Sequence, residues 1–449
     1  MSEVRNGGLL LVHYTDLAGF LRQVEVPYSS LESRFVAAFD GSSVIGFAGV
    51  EKSDMLLEAD RETLVKVPWR DGVWRVIAKV YNADGSRSSV DPRYAAERAL
   101  EYSRSLGFEP KFGAELEFFL LEDVDIDVMN PTVGLGYRVV NPEMPGYAEG
   151  LPAPVKKAYH YVEPVDKLAS YRVELIRTLA SLGYNISSSH HEVAVGQIEV
   201  SIGPGNTVKL GDGIATLKWA SRVVASRMGL HATFMPKPIY GDNGSGMHIH
   251  ASLWSVDGKT NLFASDEEGV SETARHFIAG VLEHARSLAA ILSPTTNSYR
   301  RLVPGYEAPV YVAWGFYNRT AMIRIPTTKG VKAATRIEVR SPDPSSNPYL
   351  ALSALLMAGL DGVKKKLEPP EPYEGSLYTL TLKEAREKGI GVLPRSLDEA
   401  LDELETDNEY LRPAFTKDLL ETYIEVKRAE AEEVRLYPHP VEIYKYLTL

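Results

Sequence analysis

Short apolar runs separated by turn residues open the chain. Residues 9–12, 21–26 and 74–81 alternate or cluster as strands do, and Asp16 to Gly19 and Asp71-Gly72 read as turns between them, which predicts a small, mainly β unit. The pattern changes at Asp91-Pro92, a capping residue followed by proline at the first helical position. Ala95, Ala99, Leu100 and Leu106 then keep helical spacing until Gly107 stops it. The boundary is accordingly expected at residue 90, with an N-terminal β domain over 1–90 and a second, larger domain over 91–449. In that larger part strand patterns (112–121, 193–200, 248–254, 336–340) are interspersed with helical ones (171–182, 213–228, 273–292, 350–365), and helices 397–405 and 417–432 lead to an aromatic-rich tail. The expected fold class is α+β.

Charge narrows the function. Of 449 residues, 49 are Lys or Arg and 60 are Asp or Glu, a formal net charge of −11, so the chain as a whole repels polyanions and no nucleic-acid partner is expected. Anionic small molecules remain admissible if a metal ion or arginine cluster receives them. Cysteine is absent, which removes disulfides, thiolate nucleophiles and cysteine metal sites and leaves oxygen and imidazole as metal donors. The first eight residues carry no secretory pattern and no stretch of 18 apolar residues occurs, so a cytoplasmic location without membrane contact is expected.

Four segments carry candidate chemistry. Glu115 and Glu117 lie two apart in an apolar strand pattern, which puts both carboxylates on one face, although an isolated pair of this kind is more often a wet strand face. Glu192 and Glu199 are seven apart, and a bulge or turn at Gly196 would bring them and Gln197 to a common face; His190 and His191 before them are read as structural donors in preference to ligands. The glycine loop at Asn243 and Gly244 runs into a strand on which His248, His250 and Ser252 share a face, an arrangement suited to a metal and an anionic ligand. Arg336, Glu338 and Arg340 alternate with Ile337 and Val339 and form either a salt-bridge ladder or an anion-site wall. Clustered glutamates with a histidine suit hard cations and the arginines suit phosphate or carboxylate, which together suggest metal-assisted phosphoryl transfer or hydrolysis.

Taken in order, the segments resemble glutamine synthetases of the bacterial and archaeal class I type over nearly the whole chain. The resemblance rests on Asp40-Gly41-Ser42-Ser43, on Gly113 to Phe119, on His190-His191-Glu192 through Glu199 and on Asn243 to His248. Asn297 to Pro309, Asn318-Arg319, and Arg336 to Arg340 with Asn347-Pro348 extend it. It implies a β-grasp-like N-terminal domain and a large catalytic domain with an antiparallel sheet, assembled as a dodecamer of two hexameric rings with active sites between subunits. The implied reaction phosphorylates the γ-carboxylate of glutamate with ATP, and ammonia then displaces phosphate to give glutamine. By the same likeness two or three Mg²⁺ or Mn²⁺ ions are expected, Glu117, Glu192 and Glu199 holding one and Glu115, His248 and Glu338 a second. Asn243, Gly244, Arg301 and Arg340 would hold glutamate, with His248 also at the substrate, and Arg319 with Arg340 would meet the transferring phosphate. Ser252 and Arg336 would contact the nucleotide, Glu307 would form a flap and accept a proton from the incoming nitrogen, and Asp40 with Ser43 would bind ammonium.

Departures from the family pattern occur at residues 201–205, at 315–317 near the acyl-transfer centre and at Phe47. The second of these keeps open a γ-glutamyl ligase that uses a primary amine or polyamine. A catalytically silent nitrogen-status sensor is a third reading, which loss of metal carboxylates would favour. Tyr378 occupies the position adenylylated in some relatives, but the acidic-proline sequence that usually follows is missing, so no modification is expected there.

Overall fold

A computed structural model describes residues 7–147, 150–265, 269–328 and 330–448. Residues 1–6, part of the segment read as lacking a leader, and Leu449 of the tail lie outside them. The first sheet contains β1 (Leu9–Thr15), β2 (Leu21–Pro27), β3 (Phe35–Asp40), β4 (Asp54–Lys66) and β5 (Val73–Asn82) in the order β2-β1-β5-β4-β3. Only β1 and β5 run parallel in it. Alternation sets its faces, with Leu10, Val12, Val76 and Ala78 buried in the main core. Asp91 then caps α1 (Pro92–Ser105) by accepting from Arg93 N, as the Asp-Pro pair requires.

The large part is organised around β6 (Phe108–Leu121), the central strand of an eight-stranded sheet. After it come the hairpin β7 (Asp123–Asp127) and β8 (Gly136–Val140), α2 (Ala169–Ser181), β9 (Ile186–His191), β10 (Gln197–Gly205), α3 (Thr207–Arg227), β11 (His231–Thr233) and β12 (Met247–Ser255). The chain continues through α4 (Glu272–Glu283), α5 (Ala285–Leu292), α6 (Ser298–Arg301), β13 (Tyr311–Val312), β14 (Trp314–Phe316), β15 (Ile323–Ile325) and β16 (Ile337–Val339). Last are α7 (Pro348–Lys365), α8 (Leu382–Glu387), β17 (Gly391–Val392), α9 (Leu397–Thr406), α10 (Lys417–Leu436) and α11 (Pro440–Tyr446). The sheet order is β14-β15-β16-β12-β6-β10-β9, with β11 paired to β6; every pair is antiparallel except β14 with β15. Helices α1, α3 and α7 pack together behind it, and α7 is buried along most of its length.

Two expectations are corrected. The strand read over 193–200 is a hairpin: β9 ends at His191, Glu192 N donates to Gln197 O, and Gly196 takes the left-handed φ of 73° that closes the turn. The helix read over 273–292 is broken at His284, whose side chain leaves the helical pattern to reach Asp361 and Asp407. The first sheet is tied to the second part by Arg93, which reaches Asp60 on β4, Glu97 on α1 and Asp212 on α3. Among the described residues no helix is long and apolar enough to cross a membrane.

Candidate active site

The register of the central strands assembles the site. On β6, Phe112, Ala114, Leu116 and Phe118 are buried while Glu115 and Glu117 point to the opposite face, as strand parity requires. Glu117 stands opposite Glu199 of β10, and Glu199 stands opposite His190 of β9. On the other side Glu115 faces His248 of β12, His250 faces Glu338 of β16, and Glu338 faces Arg324 of β15. Directly opposed residues of an antiparallel pair lie about 5 Å apart, so these strands bring four glutamate and three histidine side chains together. Glu192 joins them from the hairpin turn and not from a strand face.

Distances confirm the convergence. His248 Nδ1 lies 3.4 Å from Glu115 and 3.7 Å from Glu338, and its Nε2 lies 3.6 Å from Glu117. Three groups have ligand atoms within 4.8 Å of one another: Glu115, His248 and Glu338; Glu117, Glu199 and His248; and His190, Glu192 and Glu199. Gly246 permits this crowding, since a Cβ there would come within 2.7 Å of Arg301 Nη2 and 2.9 Å of His248 Nε2. Its N–H donates to Glu117 Oε2 at 2.7 Å.

The electrostatics call for cations. Burial, reinforced by Glu117 and Glu199, pushes the Glu192 carboxyl up to about 8, and burial with Glu115, Glu117 and Glu338 pushes Glu199 well above the usual range. Glu338 behaves oppositely: burial works against its charge, but Arg340, His248 and His250 outweigh it and hold the carboxyl low. Arg340 Nη1 pairs with its Oε1 at 2.6 Å. Arg324 Nε is in charge contact with its Oε2 at 2.6 Å but off the hydrogen-bonding direction, so this buried oxygen has no hydrogen-bond partner. Glu115, His248 and Glu338 bring ligand atoms within 4.8 Å of one another, which fits a divalent cation, and oxygen donors with one imidazole suit Mg²⁺ or Mn²⁺.

Above the carboxylates is a cavity of about 30 Å³ whose lining includes Glu192, Asn243, Gly244, Arg301, Glu307 and Arg340. Arg301 is less free than its sequence position suggests, because Nη1 and Nη2 donate to the carbonyls of Ser341 and Arg340. Glu307 is exposed on a loop and holds a left-handed φ of 60°. Arg319 is exposed and lies outside the cavity lining, near Tyr159 and Tyr378. Ser252 and Arg336 sit further along β12 and beside β16: Ser252 Oγ accepts from Trp254, and Arg336 Nε reaches His250 Nδ1 at 3.2 Å. Asp40 and Ser43 are exposed at the end of β3, where Asp40 accepts from Ser42 and Ser43 and touches none of the clustered carboxylates.

Three participants were noted in the sequence without being given a role at the site. His250 Nε2 lies 2.8 Å from Glu115, Gln197 Nε2 donates to Gly244 O, and Arg324 flanks Glu338. The signal for His250 was its parity with His248. Nothing in the sequence pairs Arg324 with Glu338. A cavity of about 890 Å³ between β4, α1 and α3 is remote from this chemistry, and its buried Arg93 is already paired with Asp60, Glu97 and Asp212.

An α+β fold with a carboxylate and imidazole cluster walled by arginines defines an enzyme that handles phosphate groups with divalent cations. Residues 8–83 match the family described as glutamine synthetase, beta-Grasp domain, and residues 89–446 match glutamine synthetase, catalytic domain. The glutamine synthetase of Sulfolobus acidocaldarius is 46% identical over 97% of this chain and 94% of its own length; that of Thermus thermophilus is 41% identical over 98% and 96%. Among solved structures, the Plasmodium falciparum glutamine synthetase superposes with a TM-score of 0.88 at 25% identity, covering 99% of this chain and 97% of its own. A GmaS–ADP complex superposes at 0.85 with 29% identity, covering 100% and 98%. The chain belongs to the glutamine synthetase family.

Proposed function

We propose that this enzyme joins ammonia to the γ-carboxylate of glutamate through a γ-glutamyl phosphate, consuming ATP and giving glutamine, ADP and phosphate. The observation that supports it most is the convergence of Glu115, Glu117, Glu192, Glu199, His248 and Glu338 from five separate segments beneath Arg340 and Glu307. In this reading Glu117, Glu192 and Glu199 hold one Mg²⁺ or Mn²⁺ and Glu115, His248 and Glu338 a second, with His190 adjoining. Bound divalent ions supply charge neutralisation and polarisation of the transferring phosphoryl group.

The protein's own side chains do the rest. Asn243, Gly244, Arg301 and Arg340 orient glutamate, and Arg340 with Arg319 meets negative charge on the phosphate. Ser252 and Arg336 receive the nucleotide. The Glu307 loop covers the site, excludes water from the acyl phosphate and accepts a proton from the attacking nitrogen. Asp40 and Ser43 bind ammonium in the site of a neighbouring copy, consistent with their distance in contacts from this chain's own carboxylates. The functional unit is then a homo-oligomer, a dodecamer of two hexameric rings, in the cytoplasm, with a domain boundary at residue 90.

Relatives at 46% and 41% identity bearing the glutamine synthetase name favour ammonia over an amine as acceptor, and the retained carboxylates weigh against a silent sensor. The test is a product-resolved assay with ATP, Mg²⁺ and glutamate, offering ammonium against methylamine, ethanolamine and putrescine. Glutamine with stoichiometric phosphate is the expected outcome; preferential use of an amine overturns the choice of acceptor.

A further inference from the structure

Among the described residues one further cluster of metal-ligating side chains lies outside the site. Glu143, Asp166 and His191 are all buried, with ligand atoms within 4.8 Å of one another, but their donors and acceptors are already used. Asp166 accepts from Arg172 and from Leu168 N. Glu143 Oε1 accepts from Lys167 N at 2.8 Å, and its Oε2 accepts from Gly196 N at 2.9 Å and faces His191 Nε2 at 2.7 Å. Since both oxygens accept backbone N–H groups, Glu143 is a carboxylate and His191 Nε2–H is the donor to it. The other ring nitrogen, Nδ1, faces Glu192 O at 2.6 Å, and a carbonyl oxygen only accepts, so Nδ1 donates as well.

The consequence is geometric. One carboxylate grips both ends of the hairpin turn, through His191 to the carbonyl of Glu192 on one side and directly to Gly196 N on the other. The turn leaves Glu192 no strand ladder of its own beyond its N–H to Gln197 O. Asn141 adds to the hold from the same segment, its amide donating to Val195 O. We propose that Glu143 and His191 are positioning residues that set the place of the Glu192 carboxylate, and so the affinity of the ion that Glu192, Glu117 and Glu199 share. The inference rests on the reading of Glu192 as a metal ligand.

The test measures Mn²⁺ binding to the metal-stripped full-length protein by the electron paramagnetic resonance signal of free Mn²⁺, without reference to activity. In Glu143→Gln one ion binds roughly 10–100-fold more weakly, the loss expected when a partner that orients a ligand is removed, and the ion held by Glu115, His248 and Glu338 keeps its affinity and reports an intact fold. Glu192→Gln weakens the same ion, and adding Glu143→Gln to it causes no further loss, because Glu143 acts through Glu192. If Glu192→Gln weakens one ion and Glu143→Gln weakens neither, or both, or adds to Glu192→Gln independently, the positioning role is wrong and the ligand assignment survives. If Glu192→Gln changes nothing, the ligand assignment and this inference fall together. Should Glu143→Gln not fold, His191→Gln, which keeps an amide donor in the same pocket, is measured and the same outcomes decide.

Discussion

Lys237 Nζ stands 3.9 Å from the centre of the Tyr306 ring, one residue before Glu307. Lys156 Nζ stands 4.0 Å from the same ring, so two ammonium groups from separate segments attract the base of the loop that covers the site. Lys237 also donates to the carbonyl of Asp242, next to Asn243, which links the loop to the segment assigned to glutamate. Tyr306→Leu is expected to loosen the loop and raise phosphate released per glutamine formed, while Tyr306→Phe, which keeps the ring, holds that ratio near one. Measuring phosphate and glutamine in the same reaction decides it, and an unchanged ratio in Tyr306→Leu removes the link between ring and loop.

Glu307→Ala is expected to lower glutamine formation about 100- to 10,000-fold, the range for loss of a positioned base, with ATP binding largely retained. Calorimetric titration of nucleotide beside the glutamine assay separates the two effects. Synthesis near the wild-type rate would show that another group accepts the proton.

Asp40→Ala is expected to raise the ammonium KM about tenfold or more, by loss of a charged hydrogen-bond acceptor, and to leave the glutamate KM little altered. Mixing this variant with Glu307→Ala subunits carries a further expectation. If sites lie between copies, some mixed sites regain both residues and activity rises above that of either parent; no recovery argues for a site within one chain.

Arg340→Met removes one of the two guanidinium groups that lie 2.6 Å from the buried Glu338 carboxylate, leaving Arg324 with His248 and His250 beside it. Removing one member of a buried ion pair costs about 3–5 kcal/mol, because the remaining charge stays out of water. Urea unfolding of the variant is expected to show a loss of roughly 3 kcal/mol. The double variant Arg340→Met with Glu338→Leu should recover part of it, and failure to recover would place the cost elsewhere.

His284 joins three helical segments by a charge clasp. Its Nδ1 lies 2.9 Å from Asp407 and its Nε2 2.9 Å from Asp361, while its ring stacks on Tyr410 at 3.9 Å, and Lys365 reaches Asp361 from α7. Burial opposes the imidazolium, but Asp407 and Asp361 outweigh it and hold the pKa above the ordinary value. With a raised folded-state pKa, the clasp's stabilisation is complete below about 6.5 and is lost as pH rises through the higher folded value. The gap in thermal midpoint between wild type and His284→Gln is therefore expected to be widest near pH 6 and to narrow toward about pH 9. A gap independent of pH would show that the ring acts by packing alone.

Strand parity made part of the site legible. Glu115 with Glu117, His248 with His250, and Glu338 between two arginines are each two apart, and a period of two is a local property that any pleated strand obeys. For Glu192 and Glu199 the same reasoning left a bulge and a turn at Gly196 both open. A single bulged strand would align them, but Gly196 turns the chain back fully, and a side chain there would come within 2.7 Å of Asn141, a contact invisible from sequence.

By itself the sequence determined the alternation of the strands, the capped start of α1, the acidic charge and the carboxylate, histidine and arginine motifs, because propensity, parity and capping act over a few residues. Tertiary structure alone decided that Glu117 opposes Glu199, that Glu115 opposes His248, that Arg324 reaches Glu338 and that Glu143 holds the Glu192 turn. Those relations depend on which strands become neighbours and in what register, and that choice is made by burying the apolar faces of the whole sheet against α1, α3 and α7, with no residue pair near in sequence to announce it.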